Sequence, residues 1–252
     1  MIDKIMEFYK EYTQKECYRF EIEEDVTPGI MDDKIGGIPY MPKDEEYPLD
    51  KNGRPMILLV QINLENIELE NYPRKGILEI FIDRECDWPC DYKVKYFKNI
   101  TECKTDFPDL DFENYIYEKP LKIKLVKDVE HLPMSDFRFY DVMSYVIEQV
   151  TGFVLYDEEI DDFFEEFETE IYDEMEKINT FAGNIGGYAD FTQDDPRPIK
   201  GNEDKLESLI KVDSNLGHGI MIGDSGIIFS FISEKDLKNG DFENAIVDWD
   251  CC

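Results

Sequence analysis

Histidine and positive charge are both scarce in this sequence. Two of the 252 residues are histidines, His131 and His218, and 27 lysines and arginines stand against 59 aspartates and glutamates, for a net charge of −32. A catalytic triad or a histidine metal site needs a histidine that the fold brings to its partners, and we expect both histidines to lie in loops or on the surface. The negative charge repels nucleic acids and anionic membranes, so we expect neither as a partner. A basic protein partner is compatible with this negative charge. The charge could equally serve only to keep the protein soluble.

Long hydrophobic runs are absent too. No stretch approaches the ~20 apolar residues that cross a bilayer, and the N-terminus lacks the basic and apolar regions of a signal peptide. In such a chain the cysteines are expected to be free thiols rather than a disulfide framework. They are Cys17, Cys86, Cys90, Cys103, Cys251 and Cys252. Zinc knuckles prefer closer pairs than Cys86 and Cys90, and with Cys103 as a third ligand no fourth is evident, so we predict no metal site. Free thiols and the missing signal peptide predict a cytoplasmic protein, and we expect no cofactor.

Apolar periodicity predicts an α+β fold with mostly antiparallel sheets. Residues 2–15 and 157–178 carry apolar side chains at helical spacing, which predicts an N-terminal helix and one long amphipathic helix. Residues 141–150 fit either a helix or a strand. Alternating or continuous apolar runs predict strands at residues 18–24, 56–63, 76–83, 92–97, 121–126, 209–213, 226–232 and 246–249. Ser233 and Gly240 are expected to begin and end a short helix.

The second half of the chain repeats patterns of the first. Three blocks recur at one offset of 150 residues: 34–39 in 184–189, 59–63 in 209–213, and 76–82 in 226–232. A common offset for three blocks indicates a duplicated unit with a Gly-Gly loop, a buried strand, a turn and a second strand. We therefore predict a single domain, residues 1–252, made of two pseudo-repeats (about 30–150 and 180–250) that the helix 157–178 connects. We expect the repeats to form a pair of sheets packed together.

Several motifs occur in the same order as in a known family. They are Gly36-Gly37-Ile38-Pro39, Tyr47-Pro48, Gln61-Ile62-Asn63-Leu64, Gly186-Gly187-Tyr188, Gln193-Asp194-Asp195-Pro196-Arg197 and Gly223-Asp224-Ser225-Gly226. With these motifs the chain resembles the YwqG-like family, a bacterial domain family of unknown function, over roughly residues 30–250. The resemblance implies an internally duplicated α+β fold and no established reaction or cofactor. The chain departs from the family pattern at Lys211, where a glutamine is usual, at Ile222, where tryptophan is common, and at Ala189, where proline is usual.

One segment concentrates polar side chains of the kind that ligand sites use. Tyr188, Gln193, Asp194 and Arg197 supply an aromatic ring, an amide, a carboxylate and a guanidinium within ten residues. The same residues also suit a loop clamped by its own side chains. Gln61 lies in a predicted buried strand, where its amide needs partners. It is expected either to bind the returning loop or to point into a cleft.

Two functions of different classes follow. In the first, the chain is a non-enzymatic binding or interaction protein, with a regulatory or immunity-like role against a basic partner. In the second, it binds a small polar ligand, or is an enzyme, with a site between the two halves. Gln61, Tyr188, Gln193, Asp194 and Arg197 are the residues expected to line that site.

Overall fold

The computed structural model describes residues 1–85, 90–107, 114–154, 157–178 and 180–251. Within these ranges the chain forms six α-helices and ten β-strands. The helices are α1 (Ile2–Thr13), α2 (Phe139–Thr151), α3 (Asp157–Glu166), α4 (Glu168–Met175), α5 (Pro196–Lys200) and α6 (Glu234–Asn239). The strands are β1 (Lys15–Glu23), β2 (Lys34–Ile35), β3 (Ile57–Asn63), β4 (Ile77–Ile82), β5 (Tyr92–Phe97), β6 (Leu121–Glu130), β7 (Gly183–Gly186), β8 (Glu207–Asp213), β9 (Ile227–Ile232) and β10 (Ile246–Asp250). The predicted α+β class is confirmed, and the ambiguous segment 141–150 is helical.

All ten strands belong to one antiparallel sheet. Its order is β10-β9-β8-β7-β1-β6-β2-β3-β4-β5. The predicted pair of separate sheets is therefore wrong. The reason is the long central pair β1–β6, in which nine residues of β1 are paired, because it joins β7 on one side to β2 on the other.

The sheet curves until its two edge strands approach each other. The ring of Tyr96 in β5 meets Phe242, which comes shortly before β10, with ring centroids 4.8 Å apart. Inside the curve lies the largest hydrophobic cluster, to which both halves contribute, for example Leu59 and Ile62 in β3 and Leu209 and Val212 in β8. Apolar runs that are covered on both faces explain why β3 and β4 read as continuous hydrophobic segments in the sequence.

Strand pairing in the two halves has the same register at an offset of 150 residues. Ile57 pairs with Ile82 as Glu207 pairs with Ile232, and both ladders are irregular just after the second pair. A one-turn 3-10 helix follows β3 at Leu64–Asn66, and another follows β8 at Ser214–Leu216. On this basis we propose, as the sequence blocks predict, that the two segments are copies of one folding unit.

The helices α1, α2 and α4 form a layer with its own apolar cluster. Ile5 and Tyr9 of α1, Met143 of α2 and Ile171 of α4 are buried in it. The predicted helix 157–178 keeps its apolar face on this cluster, but it is two helices that meet at Phe167, whose φ of −115° leaves the helical range. The break lets α4 pack against α1, where Lys10 and Glu174 form an ion pair of 3.2 Å. No helix in the described part of the chain is long and apolar enough to cross a membrane.

Gly36 follows β2 at a tight chain reversal where a side chain has no room. Its φ is +70°, and an added Cβ would lie 2.5 Å from the buried ring of Tyr117. We predict that Gly36→Ala lowers the free energy of unfolding by about 2–4 kcal/mol, the sum of backbone strain and overpacking. Urea unfolding measures this change.

Gly53→Ala is the matched control for this substitution. Gly53 has a φ of +77° but open space around its Cβ position. We expect it to lose only the backbone part, about 1–2 kcal/mol. Equal losses in the two variants would show that contact with Tyr117 does not restrict the site.

Candidate functional site

Gln61 ties the loop that follows β1 to strand β3. Its side chain is fully buried. Its Oε1 accepts a hydrogen bond from the backbone N–H of Tyr40 (2.7 Å), and its Nε2 donates to the carbonyls of Ile30 (2.7 Å) and Asp32 (2.9 Å). A buried amide is stable only when such partners satisfy it. Of the two predicted roles for Gln61, the geometry matches the bond to the returning loop.

Two ionisable side chains flank Gln61 in the ladder. Lys34 on β2 and Glu79 on β4 are its direct cross-strand partners, and both are buried. The Lys34 Nζ donates to the carbonyls of Gly29 (2.8 Å) and Ile30 (2.9 Å), while burial lowers its pKa to about 8. Burial also raises the pKa of Glu79 well above its ordinary value, which favours the neutral acid. Lys34 therefore helps to hold the loop, and Glu79 is enclosed in the sheet beside Gln61.

In the second half, a buried carboxylate binds the corresponding loop. Lys211 stands 150 residues after Gln61, and its Nζ donates to Oε1 of Glu130 at 3.0 Å. Glu130 also accepts from the Phe181 N–H (3.2 Å), from Nδ2 of Asn184 (2.9 Å) and from the Tyr188 N–H (2.9 Å). With four donors the ion is fully compensated in the interior. The pair explains how the chain accommodates lysine where the family pattern has glutamine.

Tyr188 is held at both ends. Besides its bond to Glu130, its hydroxyl donates to the Thr13 carbonyl at the end of α1 (2.7 Å). Burial raises the pKa of Tyr188 to about 12, so the phenol stays protonated at neutral pH. Its ring lies 5.3 Å from Nζ of Lys15 and 5.8 Å from the guanidinium of Arg138. Tyr188 therefore joins the helical layer to the sheet.

Gln193 and Asp194 lie at an exposed turn. The Gln193 N–H donates to Oδ2 of Asp250 (3.1 Å), and its Nε2 donates to the Cys251 carbonyl (2.6 Å). These bonds fasten the turn to the end of β10. The side chain of Asp194 faces solvent.

Arg197 is a large and almost completely buried side chain, of which 2% is exposed. Its guanidinium donates to Asp195 (2.6 Å) and to Asp136 (2.7 Å), and it lies 5.0 Å from the ring of Phe137. Burial alone would raise the pKa of Asp136, but the hydrogen bonds from Arg138 and the charge of Arg197 hold it below its usual value. The arginine is thus the centre of a buried ionic cluster.

The structure does not bring the five predicted residues into one place. Gln61 lies on β3, whereas the other four residues follow β7, and three strands separate β3 from β7 in the sheet. Tyr188, Gln193 and Arg197 share one segment, but each points to a different partner. Contact of these side chains with a ligand stays a prediction.

The remaining candidates from the sequence are dispersed as well. His131 is half-buried just after β6, and His218 is exposed in a loop with a φ of +55°. Cys17 is buried, and Cys103 and Cys251 are free thiols. Cys86 and Cys252 lie outside the described residues.

A cleft of about 430 Å³ opens between the two halves, beside the second Gly-Gly loop. The first half contributes the segment from Leu69 to Tyr72, and the second half contributes Gly186, Gly187 and the start of β8. Tyr72 closes one wall, because its hydroxyl donates to the Ser208 carbonyl across the halves (2.9 Å). The cleft is where the sequence predicts a site between the halves, although none of the five predicted residues lines it.

Carboxylates dominate the polar lining of this cleft. It contains one lysine and four glutamates, Lys15, Glu16, Glu70, Glu207 and Glu234. Lys15 is bound to Glu207 at 2.8 Å. Glu16 is paired with Lys127 (2.7 Å) and Glu234 with Lys238 (2.6 Å), whereas Glu70 is exposed and has no ion pair among the described residues. The cleft can therefore hold a positively charged group. Sequence reasoning missed these glutamates because they come from four separate elements of an acidic chain.

The ionic cluster around Arg197 leads to a stability prediction. Arg197→Ala leaves buried Asp195 and Asp136 short of their counter-charge, and we expect it to lower the free energy of unfolding by about 3–5 kcal/mol. Arg54→Ala breaks a comparable pair with Asp50, but Arg54 is 44% exposed, so we expect a much smaller loss than for Arg197→Ala. Urea unfolding of both variants is the measurement. Equal small losses would contradict a structural role for Arg197 and favour its predicted contact with a ligand.

Comparison with known proteins agrees with the sequence motifs. The family described as "Domain of unknown function (DUF1963)" matches residues 33–251. Among curated proteins, none matches the chain. The YwqG-like resemblance is confirmed, since YwqG is a member of this family. The matched residues include both Gly-Gly loops and all strands except β1, and the chain belongs to the DUF1963 family of domains of unknown function.

Proposed function

We propose that this chain is a binding protein that holds a positively charged segment of a partner protein in the cleft between its halves. The observation that carries the proposal is the lining of the cleft, which contains four glutamates and one lysine. Glu207, Glu16 and Glu234 each have one lysine partner, and the exposed Glu70 adds a further negative charge. Each carboxylate can accept hydrogen bonds from a lysine or arginine of the partner. A regulatory or immunity-like role against that partner, in the cytoplasm, belongs to the same proposal.

The apolar part of the cleft suits the stems of such side chains. Leu69 and Tyr72 contribute to its wall, and lysine and arginine bury their methylene groups against apolar surface while the charged end reaches polar groups. The net charge of −32 would also draw a basic partner from a distance and raise its association rate. Both effects favour a protein segment that carries several positive charges.

A small polar ligand is the second candidate, and the size of the cleft favours it. A volume of about 430 Å³ lies within the range of ~300–1,000 Å³ typical of small-molecule sites. The same lining would select a ligand with an amine or guanidinium group. Spermidine and free arginine are suitable probes. If either of them binds more tightly than a basic peptide, the result would favour this second function.

We predict that a lysine-rich peptide binds more weakly to the variant Glu70→Gln/Glu234→Gln than to the unchanged protein. The loss of two exposed charge contacts should weaken binding by about three- to tenfold. Calorimetric titration at low and at physiological salt measures the affinity, which should fall as salt rises.

Glu65→Gln/Glu243→Gln is the control, since it removes the same charge from two exposed glutamates outside the cleft. This variant should bind the peptide nearly as well as the unchanged protein. Equal weakening in the two double variants would mean that the peptide follows net charge and not the cleft, and the proposal would then fail.

A further inference from the structure

The helical layer carries a second concave surface, and this one is apolar. A groove of about 290 Å³ lies between the loop after β6 and the end of α4. Its lining includes Met134, Ser135, Tyr172, Met175, Glu176 and Asp190. It is separate from the cleft between the halves, with which it shares no lining residue.

The side chains in this groove suit contact with another apolar surface. Tyr172 is 49% exposed although it stands beside the buried Ile171. Met134 and Met175 are half-buried, and they rest on the apolar cluster of the helical layer. Methionine is flexible and polarisable, so such a groove can adapt to the apolar side chains of a partner.

Two acidic residues, Glu176 and Asp190, line the groove. Residues 157–178 contain twelve acidic residues and a single basic one, Lys177. Glu174 is bound to Lys177 (2.6 Å) and to Lys10 (3.2 Å). Glu176 lies on the rim and is exposed. An apolar occupant that also carries positive charge would therefore complement this surface.

We propose that the groove takes the apolar face of a basic amphipathic helix of a partner protein. Apolar anchors at positions i, i+3 or i+4, and i+7 would enter between Met134 and Tyr172, while lysines and arginines face the acidic helices. A second copy of this chain is disfavoured because both copies carry a charge of −32, and an anionic membrane is repelled for the same reason. The inference shares a basic partner with the proposed function but uses a different surface.

The test uses two 18-residue peptides of leucine and lysine with the same composition. One places its leucines on one helical face, and the other has them scrambled. Fluorescence anisotropy of each labelled peptide gives its affinity for the full chain. We expect the amphipathic peptide to bind at least tenfold more tightly than the scrambled one, and Tyr172→Ala to remove most of that difference.

Tyr115→Ala is the matched control, because Tyr115 is an exposed tyrosine outside both surfaces. Hydrogen exchange on the unchanged protein gives a second measurement, in which the bound amphipathic peptide should protect residues 133–135 and 168–178. Equal binding of the two peptides, or equal effects of Tyr172→Ala and Tyr115→Ala, would overturn the proposal that the groove binds an amphipathic helix. If Glu70→Gln/Glu234→Gln weakens the amphipathic peptide and Tyr172→Ala does not, the groove fails while the cleft proposal stands.

Discussion

The carboxylate of Glu130 is the interaction on which the second half of this structure depends. It lies at the end of the central strand β6 and accepts hydrogen bonds from Lys211 on β8, Asn184 on β7 and the backbone at Phe181 and Tyr188. Those contacts fix β7, the second Gly-Gly loop and the chain that leads to the ionic cluster of Arg197. A buried charge is stable only when its partners are complete, so the four donors and the carboxylate specify each other. The wall of the cleft follows from their arrangement.

The first half solves the same problem with a neutral amide. Gln61 holds its loop through one acceptor and two donor contacts, at the position where the second half has Lys211. An amide can satisfy backbone N–H and C=O groups together, whereas an ammonium only donates and requires an acceptor such as Glu130. The two halves therefore keep similar backbone geometry with different chemistry. This difference explains why a motif residue of the family can change here while the strand register is maintained.

Much of the secondary structure could be predicted because its signals are local. The apolar runs of β3, β4, β8 and β9, the spacing of α1, and the cap and stop at Ser233 and Gly240 all lie within short windows. The joining of the two halves into one sheet could not be predicted from the sequence. It depends on the pairing of β1 with β6, which lie about a hundred residues apart in the chain. The break at Phe167 was also missed, since the apolar spacing continues through it.

The candidate site divides in the same way. Gln61 and Arg197 stand out in the sequence as polar residues. In the structure both have hydrogen-bond partners within the protein, and these contacts hold parts of the fold together. Glu130 gives no local signal, because Lys211 is 81 residues away.

A double-mutant cycle on this pair, with Glu130→Gln and Lys211→Met, tests the account most directly. We predict that each single variant lowers the free energy of unfolding by about 3–5 kcal/mol and that the double variant loses much less than their sum. Small and additive losses would contradict the account.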